Sequence, residues 1–336
     1  MEPLAWATWS LGRAGFSFHG APADLRAYLL QFWRALARRS LGRCRSHPVV
    51  FRWAESGVSS PKLHFPVLPG TYEVGHEAGE WALVSRGHWG IRIGEQSIQV
   101  ELDRAGWRQH WDVLNQALTF ALVLSAGSLG AVSLHGACLE TAWGTIVLAG
   151  PSQAGKSTLA LAAAAAGAAL VSDDRVFVSV GPPALTTTLG APVTFRAGAS
   201  QLIPDLAPYE RGAPAATQTH ARRQAQFKIA VDLERAFARP RRLQSALPRA
   251  LVLLQRDQGA RRPRWHKLRA QEALSGFAAA DPIPIAGPAR QTLLRDLVRR
   301  TECWGFAYPS GDASILRRTA HHLLQGPHLS CSGRSI

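Results

Sequence analysis

The 336-residue chain is short of several things, and each shortage removes a class of protein. It has four cysteines, Cys44, Cys138, Cys303 and Cys331, with no C-x-x-C pair and no metal-ligand spacing. That excludes a disulfide scaffold, gives no zinc site and fits a reducing, cytoplasmic compartment. The first residues, Met1 to Trp6, carry neither a basic n-region nor a sustained apolar h-region, so no secretory signal is expected. No apolar run is long and unbroken. The stretch Ala117 to Leu134 is interrupted by Ser125, Gly127, Ser128 and Gly130, and reads as helix then strand with no membrane span. There is no repeat at solenoid spacing and no long low-complexity tract beyond one alanine-rich segment. Lysine occurs only at Lys62, Lys156, Lys228 and Lys267, so arginine supplies nearly all of the net charge of +15. A pI near 11.0 ordinarily points to nucleic acid or an anionic surface. Arginine alongside abundant alanine also follows from a GC-rich coding bias, and nucleic acid is not expected as a partner.

What is present suffices for a full core, with 46% apolar residues, and the length suits two domains or one domain with an accessory module. From Trp6 to about Leu102, short alternating segments such as Trp81 to Val84, Trp89 to Ile93 and Ser97 to Leu102 predict a small antiparallel sheet. Trp107, Trp111, Leu114, Leu118 and Leu122 recur at helical spacing and predict a helix over 107–125 whose tryptophans pack as core. We therefore divide the chain into an accessory α+β domain over 1–128, a second domain over 129–326 and a flexible tail over 327–336. Two basic clusters stand out. Arg34, Arg38, Arg39, Arg43 and Arg45 follow an amphipathic run from Leu25 to Leu36, as a solvated face or a patch for an acidic partner. Arg261, Arg262, Arg264, Lys267 and Arg269 surround Trp265 and His266, as a surface loop and strand or as a site where a base stacks on Trp265.

The most specific signal is Gly150-Pro151-Ser152-Gln153-Ala154-Gly155-Lys156-Ser157, which fits G-x-x-x-x-G-K-[ST] between an apolar stretch, Thr145 to Ala149, and the helical run Thr158 to Ala166. Strand, loop and helix in that order make a phosphate site: backbone N–H groups turn inward, and the helix contributes its positive dipole end. Lys156 is expected on the β- and γ-phosphates of ATP and the Ser157 hydroxyl on Mg²⁺. The next buried strand ends in Asp173 and Asp174 before a second apolar run begins. Adjacent residues of an extended strand face opposite ways, so the two carboxylates are expected to divide their work between metal and acceptor. The same pair also suits a turn cap.

His135-Gly136-Ala137, then the loop through Thr158, then Leu170-Val171-Ser172-Asp173-Asp174-Arg175-Val176 resemble in order and spacing the catalytic domain of HPr kinase/phosphorylase and its related kinases. The resemblance covers chiefly Val132 to Arg196. It implies an α/β fold with a P-loop nucleotide domain of the HPr kinase/PEP carboxykinase-like kind and a smaller N-terminal α+β accessory domain. It also implies an ATP- and Mg²⁺-dependent kinase acting on a serine of a small protein or peptide, with homo-oligomers known among the relatives. On that resemblance Asp173 accepts the proton of the attacking hydroxyl and Asp174 helps Ser157 hold Mg²⁺. His135 touches the reacting centre, and Arg196 neutralises charge on the transferred group. Thr194 stands where the family has glutamate, Thr158 where glutamate is common, and the glycine-rich stretch expected after Arg196 is missing, so the resemblance does not carry over the phosphorylase reaction or recognition of HPr itself. A small-molecule kinase and a non-catalytic nucleotide-dependent regulator are the alternatives.

Farther on, Ala207 to Arg223 reads as a mobile loop near the site. Phe227 to Leu233 and Ala250 to Leu254 read as strands, with Lys228 either reaching a phosphate or decorating an edge. Arg290 to Cys303 and Ala313 to Leu324 read as helices.

Overall fold

A computed structural model describes residues 5–11, 14–34, 36, 45–54, 72–77, 80–104, 106–181, 185–191, 193–212, 228–231, 233–237, 244–281 and 288–327. Several expectations fall outside them: Cys44 and Cys331, Arg38, Arg39 and Arg43, most of the 207–223 loop, the Lys228 side chain and the tail over 328–336. The described chain is mixed α/β and forms two compact units. One comprises Met1–Ser133 with Gly181–Pro183 and Ile285–Leu293; the other comprises Leu134–Val180, Ala184–Pro284 and Leu294–Ile336.

The first unit holds a seven-stranded sheet of β1 (Ala7–Leu11), β2 (Ala14–His19), β3 (Arg45–Trp53), β4 (Glu73–Glu77), β5 (Glu80–Ser85), β6 (Trp89–Ile93) and β7 (Ile98–Leu102), in the order β1-β2-β3-β7-β6-β5-β4. The segments named from alternation, β5, β6 and β7, pair antiparallel as expected, but the sheet as a whole is mixed, because β2 pairs β3 and β3 pairs β7 in parallel. The helix α1 (Ala23–Phe32), seated through Leu25 and Leu29, carries the chain from β2 to β3, as parallel neighbours require. Pro48 lies inside β3, yet pairing with β7 begins only at Val49, so the proline sits where one neighbour is missing. A 3₁₀ turn, Trp107–His110, leads into α2 (Trp111–Ala126), with Leu114, Ala117, Leu118, Ala121 and Leu122 buried on the stripe that the spacing predicts. No helix among the described residues is long and apolar enough to cross a membrane.

The second unit is built on a nine-stranded sheet. Its strands are β8 (Ala131–Thr141), β9 (Gly144–Ala149), β10 (Ala169–Ser172), β11 (Arg175–Ser179), β12 (Leu185–Thr187), β15 (Gln244–Ala246), β16 (Ala250–Arg256), β17 (Arg264–Lys267) and β18 (Glu302–Tyr308). A separate ribbon pairs β13 (Val193–Arg196) with β14 (Lys228–Val231). At the centre β9, β16 and β18 run parallel, flanked by antiparallel β8 and β17. The parallel strands Ile146 to Ala149 and Ala250 to Val252 are buried on both faces, as sequence runs without alternation should be. Helix α3 (Lys156–Ala165) follows β9, and its alanines let it lie deep, with residues 159–164 all buried. Helices α4 (Ala270–Ala280), α5 (Pro288–Arg300) and α6 (Ala313–Gln325) follow. The C-terminal helix expected to reach Cys303 stops at Arg300; Cys303 is buried in β18, where Glu302 to Tyr308 pair in register with Ala250 to Arg256. Helix α6 is seated through Leu316, Thr319, Ala320 and Leu323, and its first turn is capped by the Asp312 carboxylate, which accepts from Ser314 N (2.9 Å) and Ile315 N (3.0 Å).

Arg175 opens β11, and its Nη1 donates to Asp281 Oδ1 (3.2 Å) and Oδ2 (3.1 Å), with side-chain exposures of 14% and 1%. Asp281→Ala would remove the carboxylate that faces a guanidinium with little access to water, and the expected loss is about 3 kcal/mol. It should appear as a lowered urea midpoint at unchanged m-value; an unshifted midpoint would show that water reaches Arg175.

Candidate phosphate-binding site

The site begins with a backbone requirement. Strand β9 ends at Ala149, and the chain turns through Gly150 to Gly155 before α3 starts at Lys156, two residues earlier than the sequence run suggests. Gln153 takes φ +67°, the one positive φ of a non-glycine among the described residues, and Gly155 takes φ +82°. A Cβ on Gly155 would stand 2.3 Å from Tyr308 Oη and 3.1 Å from Arg256 Nη2, so both conformation and space demand glycine there. Tyr308 donates its hydroxyl proton to the Ala154 carbonyl, and Arg256 Nε lies 3.5 Å from Tyr308 Oη. The end of β18 thus braces the loop. Pro151, Ser152 and Gln153 are exposed, Ala154 is buried, and Thr158 is half-buried on the first turn of α3.

Lys156 is buried at 8% exposure, and its Nζ donates to the carbonyls of Gly150 (2.8 Å) and Pro151 (3.2 Å). Burial lowers its pKa from the ordinary 10.5, and the negative charge of Asp174 works against that shift. Ser157 Oγ donates to the main-chain carbonyl of Asp173 (3.2 Å), which links the first turn of α3 to the tip of the β10–β11 turn.

That turn separates the two carboxylates. Asp173 is buried and its Oδ2 accepts from the Thr194 N–H (3.1 Å); Asp174 is 63% exposed at its side chain, with Oδ1 3.2 Å from His135 Nδ1. The turn is pinned twice more: Ser172 Oγ donates to the Arg175 carbonyl (2.8 Å), and the Gly136 N–H donates to the Asp174 carbonyl (2.8 Å). Gly136 cannot be larger, since a Cβ would come within 2.3 Å of the Leu148 carbonyl oxygen. The structure therefore brings Lys156, Ser157, Asp173, Asp174 and His135 together. Arg196 is exposed at the end of β13, on the side that carries Thr194, while Val193 and Phe195 turn into the core.

Of the two readings for Trp265, the structure agrees with the loop and following strand: residues 261 and 262 are exposed in a bend, and Trp265 lies in β17. Its ring is half-buried and packs 4.6 Å from Phe306, 6.0 Å from Trp143 and 6.2 Å from Trp304, so aromatic packing accounts for it without a stacked base. Arg256 and Tyr308 were invisible to motif reading, because nothing local marks a strand end that folds against a loop over a hundred residues away. Cys138 and Cys303 are buried free thiols, and burial raises both pKa values.

No family model matches the chain, and no curated protein matches it. Among solved structures, the Hpr(Ser) kinase/phosphatase from Coxiella burnetii is similar with a TM-score of 0.32 and 12% identity, over 60% of this chain and 99% of that one. At that level the likeness carries no argument about activity.

The Lys156 environment gives a pH prediction. Its folded pKa is depressed, so between that value and 10.5 the unfolded chain binds the extra proton, and this group makes stability rise with pH in that window. Asp174→Asn removes the opposing charge, so the Lys156 ammonium should titrate lower still. With only four lysines in the chain, ¹⁵N-lysine NMR titration resolves this; an unmoved or raised value would mean that Asp174 does not act on Lys156.

Proposed function

We propose that the chain is an ATP- and Mg²⁺-dependent kinase that transfers the γ-phosphoryl group to a serine hydroxyl of a small protein or peptide. One observation carries the reading: Asp173 is a buried carboxylate fixed by the Thr194 N–H, and its own carbonyl holds Ser157 on the phosphate loop. A proton acceptor is thereby tied directly to the residue that follows Lys156. A loop serving only as a switch has no need of a fixed, buried carboxylate at its mouth.

The residues divide as follows. The N–H groups of the loop from Gly150 to Thr158 receive phosphate oxygens at the N-terminus of α3. Lys156 exchanges its carbonyl partners for β- and γ-phosphate oxygens, a better match for an ammonium ion. Asp173 accepts the serine proton as the hydroxyl oxygen attacks the γ-phosphorus; the bond from phosphorus to the bridging oxygen breaks, and ADP leaves with the electron pair. Arg196 supplies positive charge to the transferring group, and His135 orients Asp174. Ser157 and Asp174 fit Mg²⁺, since both offer hard oxygens. Mg²⁺ in phosphoryl-transfer sites is held by one or two protein oxygens together with phosphate oxygens and water. When bound, the ion neutralises charge that develops between the β- and γ-phosphates. The machinery falls within residues 129–326, which we take as the kinase domain, with 1–128 as the accessory domain. The free thiols Cys138 and Cys303 agree with a cytoplasmic setting.

Lys156→Ala should abolish ATP binding. Asp173→Asn keeps an oxygen for the Thr194 N–H, so it should retain ATP but lower transfer at least about 100-fold. Calorimetry with Mg²⁺ and ATP reads binding in both variants, and label from γ-labelled ATP, followed into peptide, protein and small-molecule fractions of a lysate, reads transfer. Full activity in either variant would sink the assignment, and label only in small molecules would replace the peptide acceptor with a metabolite.

A further inference from the structure

Nothing described so far accounts for a second hollow in the same unit. A cleft of about 420 Å³ lies between loop residues 151–154, the C-terminal end of β16, His266 of β17 and Gly305 of β18. Its position follows from topology. Parallel strands β9, β16 and β18 end at one edge, the edge outside which ligands of open α/β sheets bind. A phosphate chain on the loop after β9 would carry whatever is attached to it sideways, over the ends of β16 and β18.

The lining is built rather than incidental. Ala149, Leu253, Gly305 and His266 are direct register partners from strand to strand, and so form one row across one face of the sheet. Within that row the His266 imidazole lies across Gly305: a Cβ at Gly305 would meet His266 Cε1 and Nε2 at 2.1 Å. Any other residue at 305 would displace the ring. Alternation sends Trp265 to the opposite face and leaves His266, itself exposed, at the cleft. At the loop end of the cleft stands the Arg256 guanidinium, with Nη2 3.1 Å from the place a Gly155 Cβ would occupy. The cleft thus runs from a cation beside the phosphate loop to a flat aromatic ring, and its volume falls within the range of roughly 300–1,000 Å³ for small-ligand sites.

We propose that this cleft holds the nucleoside end of the bound nucleotide, with the base stacked on the His266 imidazole and Arg256 meeting the phosphate nearest the ribose. The proposal rests on the reading of the neighbouring loop as an ATP site. Stacking uses the π-face that every base has, so His266 sets affinity more than base identity.

The experiment measures binding of ATP and of inorganic tripolyphosphate, each with Mg²⁺, to the full chain by calorimetry. Tripolyphosphate fills the loop and leaves the cleft empty. His266→Ala should weaken ATP about tenfold and leave tripolyphosphate unchanged, while His266→Phe, which keeps a ring, should retain most of the ATP affinity. Gly305→Ala, which leaves residue 266 as histidine but dislodges its ring, should weaken ATP in the same selective way. If Lys156→Ala abolishes ATP binding but the His266 and Gly305 variants bind it as well as the natural chain, the nucleoside lies elsewhere and the inference falls alone. Equal losses for ATP and tripolyphosphate in the His266 and Gly305 variants would also overturn it. Failure of the natural chain to bind either ligand would overturn both the inference and the kinase reading.

Discussion

A buried ammonium ion governs the second unit. Lys156 cannot be taken from water without partners, and it finds them in the carbonyls of Gly150 and Pro151 and in the field of Asp174. Each partner constrains something else. The carbonyls must point inward, which fixes the path of the loop from the end of β9. Asp174 must stay near, which fixes the β10–β11 turn, and that turn is held in its own right by Ser172, Gly136 and His135. The loop and the acidic turn are therefore parts of one electrostatic arrangement, in which burial lowers the Lys156 pKa and the charge of Asp174 raises it. A polyanion on the loop would relieve that cost.

The second constraint is close approach. Gly136, Gly155 and Gly305 each sit where a Cβ would come within 2.3 Å of a neighbouring atom, against Leu148 O, Tyr308 Oη and the His266 ring respectively. Two of these contacts involve β18, which is far from the loop in sequence yet reaches it through Tyr308. A parallel arrangement of β9, β16 and β18 is what makes this geometry available, because all three strands end on the same side. The cost of excluding side chains at those glycines is offset by close packing around them, from Ile, Val and Leu in β9 and β16 and from Cys303, Phe306 and Tyr308 in β18.

How much of this could be read from the sequence follows from the range of the forces involved. Strand, loop and α3 were legible because Gly155, Lys156 and Ser157 answer to needs met within a few residues, and Asp173 with Asp174 interrupts an apolar run visibly. The stripe of α2 and the seats of α6 were legible for the same reason, as periodicity is local. Arg256, Tyr308, Gly305 and His266 were not, because their roles arise from pairing between β16, β17 and β18. Trp265 shows the point: the sequence leaves it between a surface strand and a stacking site, while register packs its ring beside Phe306 and places His266 on the other face. In the first unit, alternation identified strands but not direction. Whether β2 joins β3 in parallel depends on α1 crossing between them, and alternation along a strand is the same in either direction.

Asp173 and Asp174 show how neighbouring, chemically identical groups acquire different chemistry. Asp173 is buried, and its carboxylate accepts from a main-chain N–H donor, so it has little access to water. Asp174 stands in solvent beside His135, where it can exchange partners and where its charge reaches Lys156 across the mouth of the loop. The difference does not come from the side chains but from the turn that separates them, held by Ser172 below and Gly136 beside it. A substitution in that turn would therefore disturb both carboxylates at once without removing either, because the hydrogen bonds of its backbone set the direction of each.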